Sequence, residues 1–251
     1  MKRLKEYIAA VLILTFVGAL IYFMYQRVST RTSRELSKRI AELSPRGGPP
    51  ETIEGLRQAI ALYEAQIERN VAEGAQTGVY WKILATRLAD RNMHNDALLA
   101  LERALYFNPE DPVLYYLTGV SAAVTAKTQI GFSPDAQREK ERYFSLAENA
   151  YLRALDLDIT YTRAMYGLGI LYSFELDRPD DAIVHLERYL QILPSDVSAM
   201  FVLARAHYML ENYQQAVDFY DRIITRTRDQ KLKEEAMLNR DAVQGMIYGG
   251  R

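Results

Sequence analysis

Trp81-Lys-Ile-Leu-Ala-Thr-Arg-Leu88 returns 34 residues later as Tyr115-Tyr-Leu-Thr-Gly-Val-Ser-Ala122, with Ala85 and then Gly119 at the matching place. The register recurs twice more, as Met165-x-x-Leu168-Gly169-x-x-Tyr172 and as Met200-x-x-Leu203-Ala204-x-x-His207. The four small residues are separated by 34, 50 and 35 positions. A second stripe follows each first one: Ala97-x-x-x-Leu101-x-x-Ala104, Ala147-x-x-x-Tyr151-x-x-Ala154, Ala182-x-x-x-Leu186-x-x-Tyr189 and Ala216-x-x-x-Tyr220-x-x-Ile223. Apolar residues three and four apart share one helical face, so each unit reads as two helices meeting at a small residue. Four such pairs in phase predict a stacked helical array, which is a binding surface rather than a reaction centre.

The pattern resembles the tetratricopeptide repeat family over roughly residues 78–230, with closing prolines at Pro109 and Pro194 and Ile159 in that place in the second unit. The resemblance implies an all-α solenoid of helical hairpins, wound as a right-handed superhelix. Its repeats span 78–111, 112–161, 162–196 and 197–230. A solenoid also needs end helices that cover its apolar ends. The stripe Ile53, Leu56, Ile60, Tyr63, Ile67, Val71 supplies a capping helix over 51–75, expected to lie on repeat one. Leu232, Ala236, Asn239, Val243 and Ile247 supply another over 231–251, starting near Asp229.

The 50-residue spacing leaves a 16-residue insertion in repeat two, near 125–140. Gly131 reads as a helix stop, and Ser133-Pro134 as the cap and first turn of the next helix. That helix is expected to run from about Pro134 to Asp158. The insertion is either a tolerated extension or a lip over the groove.

The chain changes character upstream. Ile8–Met24 carries no charge and is bracketed by Tyr7, Tyr22, Phe23 and Tyr25, the composition of a membrane-spanning segment over 7–25. Lys2, Arg3 and Lys5 precede it, as they would a secretory signal, with Val17-Gly18-Ala19 as an alternative cleavage site. The apolar run continues past that site, which favours an uncleaved anchor. The short basic tail (1–6) stays in the cytosol, so the repeat domain is expected outside a bacterial cytoplasmic (inner) membrane, in the periplasm. Residues 26–50 form a basic juxtamembrane helix and a linker, Ser44-Pro-Arg-Gly-Gly-Pro-Pro50. The helix is either a stalk or a surface for anionic lipid headgroups.

Residues 1–44 hold eight basic and three acidic side chains, which leaves 23 basic against 29 acidic for the remainder. A mildly acidic body offers no stripe to track a phosphate backbone, so no nucleic-acid partner is expected. Cysteine is absent, which excludes a disulfide framework and a thiol nucleophile. His94, His185 and His207 are not spaced as metal ligands, and no phosphate loop or nucleophile elbow is present. No catalytic residue, cofactor or metal is expected.

What remains is the groove. In the family, first helices line the concave face. By that resemblance the partner-binding positions are Tyr116 and Val120 in repeat two. Repeat three offers Arg163, Tyr166, Ile170 and Phe174, and repeat four Phe201, Arg205 and Tyr208. The carboxylate clamp of the family's chaperone-binding members finds no match, since these places are largely aromatic or aliphatic. An aromatic groove suits an apolar helix or an extended peptide. The insertion or the 51–73 helix filling the groove is the alternative. The expected function is a non-enzymatic, membrane-anchored scaffold or adaptor that holds a protein partner in a cell-envelope assembly. The alternative is an accessory protein that binds an apolar small molecule and couples to a membrane transporter. A closed cavity around Tyr116 and Tyr166 would favour the alternative.

Overall fold

A computed structural model describes residues 52–129, 131 and 133–248. The expected membrane segment at 7–25 and the basic segment and linker at 26–50 lie outside the described residues. Among the described residues, no helix is long and apolar enough to cross a membrane. They form the helices α1 (Ile53–Ala89), α2 (His94–Phe107), α3 (Pro112–Thr128), α4 (Pro134–Leu157), α5 (Thr162–Phe174), α6 (Pro179–Ile192), α7 (Val197–Met209), α8 (Tyr213–Arg226) and α9 (Gln230–Tyr248). The chain divides into units of residues 1–73 and 74–251, and α1 runs through the division.

Within the second unit the helices pack in chain order, α3 with α4, α5 with α6, α7 with α8, and α9 against α8. Local chemistry starts them. The Asp111 carboxylate accepts from the Val113 amide at 2.9 Å ahead of α3, and the Asp196 carboxylate accepts from Ala199 at 3.0 Å ahead of α7. Ser133 caps α4 through the Ala136 amide at 3.2 Å, with Pro134 in the first turn. Turns between first and second helices place Asn92, Asp177 and Glu211 at φ of 58°, 52° and 59°. Asparagine and aspartate tolerate this left-handed region, whereas Glu211 is held there against its preference.

The small residue is where paired helices touch. A Cβ built on Gly119 would lie 2.5 Å from the Tyr151 ring, and one on Gly169 would lie 2.5 Å from Leu186. Tyr151 and Leu186 hold the same register in their second helices. Ala85 and Ala204 occupy the equivalent places in the first and fourth repeats, and both are buried. The core of repeats two to four is continuous from Ala122 through Leu168 and Leu203 to Val243 on α9. Ala85, Leu101, Ala104 and Leu114 form a separate cluster, with Trp81 and Leu88 against it.

The expected capping helix over 51–75, separate from repeat one, is not formed. A single 37-residue helix continues through Gly74 and Gly78 to Ala89. Gly78 is there for packing, since a Cβ would collide with Phe107 and Asn108 at the end of α2. Glycine inside a helix costs about 1 kcal/mol relative to alanine, too little to break this one. All six residues of the stripe Ile53 to Val71 are exposed. Asp229 caps α9 by accepting from the Lys231 amide at 2.9 Å, and Ala236 and Val243 are buried.

The insertion lengthens both helices of repeat two. Helix α3 has 17 residues against 13 in α5 and α7, and α4 has 24 against 14 in α6 and α8. His94 opens α2 instead of lying in the preceding turn, His185 stacks on Tyr172 at 5.9 Å, and His207 stacks on Phe219 at 5.6 Å.

Gly169→Leu places added volume where Leu186 already sits, and should destabilise by about 1–3 kcal/mol or more. Unchanged thermal melting would remove Gly169 from the contact. A second prediction concerns pH. Burial holds His185 and His207 below the ordinary imidazole range, with Arg188 adding to the effect at His185 and Asp181 and Glu187 opposing it at the two sites. The unfolded chain therefore takes up protons first as pH falls through about 6.5. Stability is full above that value and declines below it until the folded-state histidines also titrate. The slope of melting temperature between pH 7.5 and 5.5 should flatten in a His185→Phe/His207→Phe variant, and an unchanged slope would place its source elsewhere.

Candidate functional site

Successive first helices set their faces by the same device. Each begins at a turn and is pressed against its second helix at the small residue, so residues three before and one after that position point the same way. Tyr116, Tyr166 and Phe201 share this register. They are half-buried instead of fully exposed, because each leans on a tyrosine of its own repeat. Tyr116 lies 6.1 Å from Tyr151, Tyr166 lies 5.4 Å from Tyr189, and Phe201 lies 6.1 Å from Tyr220. Tyr161, at the turn into α5, adds a second edge contact to Tyr116 at 5.7 Å. Val120 and Ile170 are likewise half-buried against the core. Arg163 is exposed beside Tyr161.

The remaining sequence-derived positions converge. Phe174, Phe201, Arg205 and Tyr208 line a cavity of about 360 Å³ at the end of the first-helix face. Val202 and Tyr220 form its floor, and α9 contributes the opposite wall with Glu235, Asn239 and Met246. Phe174 is 51% exposed and Tyr208 40%, so both rings present their surfaces at the opening. The Arg205 guanidinium lies 4.6 Å from the Phe174 ring centre and donates to the Ser173 carbonyl at 3.4 Å. Neither Arg205 nor Glu235 forms an ion pair among the described residues. The cavity therefore holds one cation, one carboxylate, an amide and several aromatic faces, an inventory for binding without a nucleophile or base pair. Among the described residues, no group of three or more acidic or histidine side chains is placed to hold a metal.

Tyr116, Val120, Arg163, Tyr166 and Ile170 do not line this cavity, and the cavity does not surround Tyr116 and Tyr166. Sequence reasoning missed Glu235, Asn239 and Met246. In the sequence Asn239 reads only as part of the covering face of the end helix, and nothing in the spacing says that this helix also walls the groove. None of the described residues of the insertion lines this cavity. Its lengthened α4 instead flanks α2, where Leu98, Leu99, Leu105, Tyr143 and Leu146 surround a second, more apolar cleft of about 550 Å³. Repeat one contributes no open cation at Lys82, which is bridged to the Asp111 cap at 2.7 Å.

With this geometry in place, the comparisons with known proteins are consistent. The family model described as tetratricopeptide repeat matches residues 173–234. The anaphase-promoting complex subunit 3 of Schizosaccharomyces pombe is 26% identical over 160 residues, 64% of this chain. The chain spans only 21% of that subunit's length. A TPR repeat-containing protein of Borreliella burgdorferi is 22% identical over 207 residues, covering 82% of this chain and 87% of the relative. Among solved structures, MamA from residue 41 onward of Desulfovibrio magneticus RS-1 superposes with a TM-score of 0.54 at 15% identity, over 69% of this chain and 97% of MamA. A thermophilic TPR protein of Thermus thermophilus gives 0.53 at 17% identity, over 72% of this chain and 88% of that protein. Those two structural likenesses bear on the fold alone. Repeat register and helix pairing agree with these likenesses: residues 173–234 match the tetratricopeptide repeat, and the described helices share the helical-hairpin solenoid fold of such proteins.

Proposed function

We propose that this chain is a membrane-anchored scaffold whose first-helix face holds a segment of a protein partner at the cavity between α5, α7 and α9. One observation carries the reading. Arg205 is stacked on the exposed Phe174 ring and has no carboxylate partner among the described residues, at the mouth of a cavity that also displays Tyr208. A cation held against an aromatic face still has donors to spare beyond the Ser173 carbonyl, so it suits an acidic or carbonyl group of a peptide. The cavity volume is sufficient for one or two apolar side chains, and Glu235 offers an acceptor on the opposite wall. The partner inserts an apolar residue beside Phe201 and sets an acidic group on Arg205.

The other half-buried rings, Tyr116 and Tyr166, with Val120, Ile170 and the exposed Arg163, extend the contact along the face at lower energy per residue. Hot spots are typically few and central, with weaker contacts around them. The anchor rests on the uncharged run Ile8–Met24, and the position outside the cytosol rests on the basic residues Lys2, Arg3 and Lys5 before it. The small-molecule alternative requires a closed cavity around Tyr116 and Tyr166. The cavity beside Phe174 and Arg205 is open, which suits a peptide.

Phe174→Ala and Tyr208→Ala together should weaken partner capture by roughly a thousandfold, if each loses about 2 kcal/mol and the effects add. Melting temperature should fall less than in the Gly169→Leu variant, because both rings are about half exposed. Capture is read first as crosslinked yield from membranes and then by titration of the purified pair. Undiminished affinity in the double variant sinks the proposed site. The anchor has its own test. The full chain should remain with membranes after high-salt and carbonate washes, and release by either wash would refute a spanning segment.

A further inference from the structure

The first unit holds a surface that the groove does not use. From Ile53 to Val71 the described part of α1 carries Ile53, Leu56, Ile60, Tyr63, Ile67 and Val71, from 41% exposed at Leu56 to 74% at Ile53. Isolated apolar residues on a surface need no explanation, but a continuous stripe over about five helical turns does. From Ile53 to Ile67 its steps of three and four alternate as in a coiled-coil seam, and Val71 lies beside that seam. Ile53, Ile60 and Ile67 take the first core position of each heptad, and Leu56, Tyr63 and Asn70 the second.

The flanking charges choose the partner and its direction. Beside the seam stand Arg57 and Glu64, one heptad apart, and the opposite flank is uncharged, with Ala59 buried and Gln66 half-buried. In a parallel pair of identical helices Arg57 would face Thr52 of the second copy and Glu64 would face Ala59, so no opposite charges would meet. In an antiparallel pair, with Ile60 opposite Tyr63, Arg57 of each copy faces Glu64 of the other. Two-fold symmetry makes that contact twice. The same register sets Leu56 opposite Ile67 and places Asn70 at the outer layers, where a polar residue costs little and specifies alignment. Neither Arg57 nor Glu64 has an ion pair among the described residues. The helix needs no separate nucleation, because α1 continues into Trp81, Ala85 and Leu88 of the repeat-one cluster.

We infer that the α1 face from Ile53 to Val71 is a self-association surface that takes the same segment of a second copy of this chain, antiparallel. Sedimentation equilibrium of the full chain in mild detergent should show a monomer–dimer equilibrium. Ile60→Glu should abolish the dimer with the melting temperature unchanged, since Ile60 is 54% exposed. Arg57→Glu and Glu64→Arg should each weaken the dimer roughly tenfold, and the two together should restore it. The chain has no cysteine, so an Ile60→Cys/Tyr63→Cys variant should give an oxidative cross-linked dimer while Ile60→Cys alone should not. A chain monomeric at every concentration, or a dimer indifferent to Ile60→Glu, overturns the surface. Cross-linking by Ile60→Cys alone, or failure of the charge swap to restore the dimer, overturns the antiparallel register.

Discussion

The close approach of helices at Tyr151 governs the middle of the solenoid. Its ring lies against Gly119 of its own repeat and Gly167 of the next, where built Cβ atoms would come within 2.5 and 2.8 Å. Two glycines from successive first helices thus hold one aromatic ring, and burial pushes its phenol above the ordinary range. The spacing between α3, α4 and α5 follows from this contact, because no larger residue leaves room for the ring. Gly169 against Leu186 repeats the arrangement one unit later with a smaller side chain. Interiors packed to crystal-like density transmit strain, so a change in volume at either contact displaces whole helices.

Polar contacts then fix how each first helix faces the groove. Asp196 caps α7 and also accepts the Tyr189 hydroxyl at 2.6 Å, which ties α6 to α7. Asp111 does the same double duty with the Val113 amide and Lys82, tying α1 to α3. In repeat three the load passes to a different group. Arg178 bridges Glu148 at 2.7 Å, Glu148 accepts from the Tyr172 hydroxyl at 2.8 Å, and the guanidinium lies 4.6 Å from the Tyr172 ring centre. Half-exposed pairs of this kind contribute little singly, about 0–1 kcal/mol each. Their effect is orientation: with caps and bridges in place, Phe174 and Arg205 meet across α5 and α7 instead of diverging.

The cavity at that meeting point depends on the end helix as much as on the repeats. Helix α9 covers the apolar side of α8 through Ala236 and Val243, as the end of a solenoid requires. Its next face is free to wall the groove, and Glu235, Asn239 and Met246 fall there. The lengthened α4 acts similarly at the other end of the array, creating an apolar cleft beside α2 where a repeat of ordinary length would leave none of Tyr143 or Arg142.

Periodicity made the helices, their pairing and the small-residue contacts readable from the chain, because each depends on residues three, four or 34 apart. Ser133-Pro134 located the start of α4, and Asp229 the start of α9, because caps act on amides two or three residues away. The continuation of α1 past Gly78 was not readable in this way, because only the Phe107–Asn108 turn beside that glycine shows why it is needed within one helix. Tertiary structure alone decided which aromatic positions became core. Tyr116, Tyr166 and Phe201 share one register with exposed neighbours, yet second-helix tyrosines far along the chain cover them. The composition of the cavity was likewise undetermined until α9 folded back, since Arg205 and Glu235 lie on different helices with no repeat relation between them. Patterns within one turn or one repeat period are written in the sequence; which distant faces share a cavity follows only from how the helices stack.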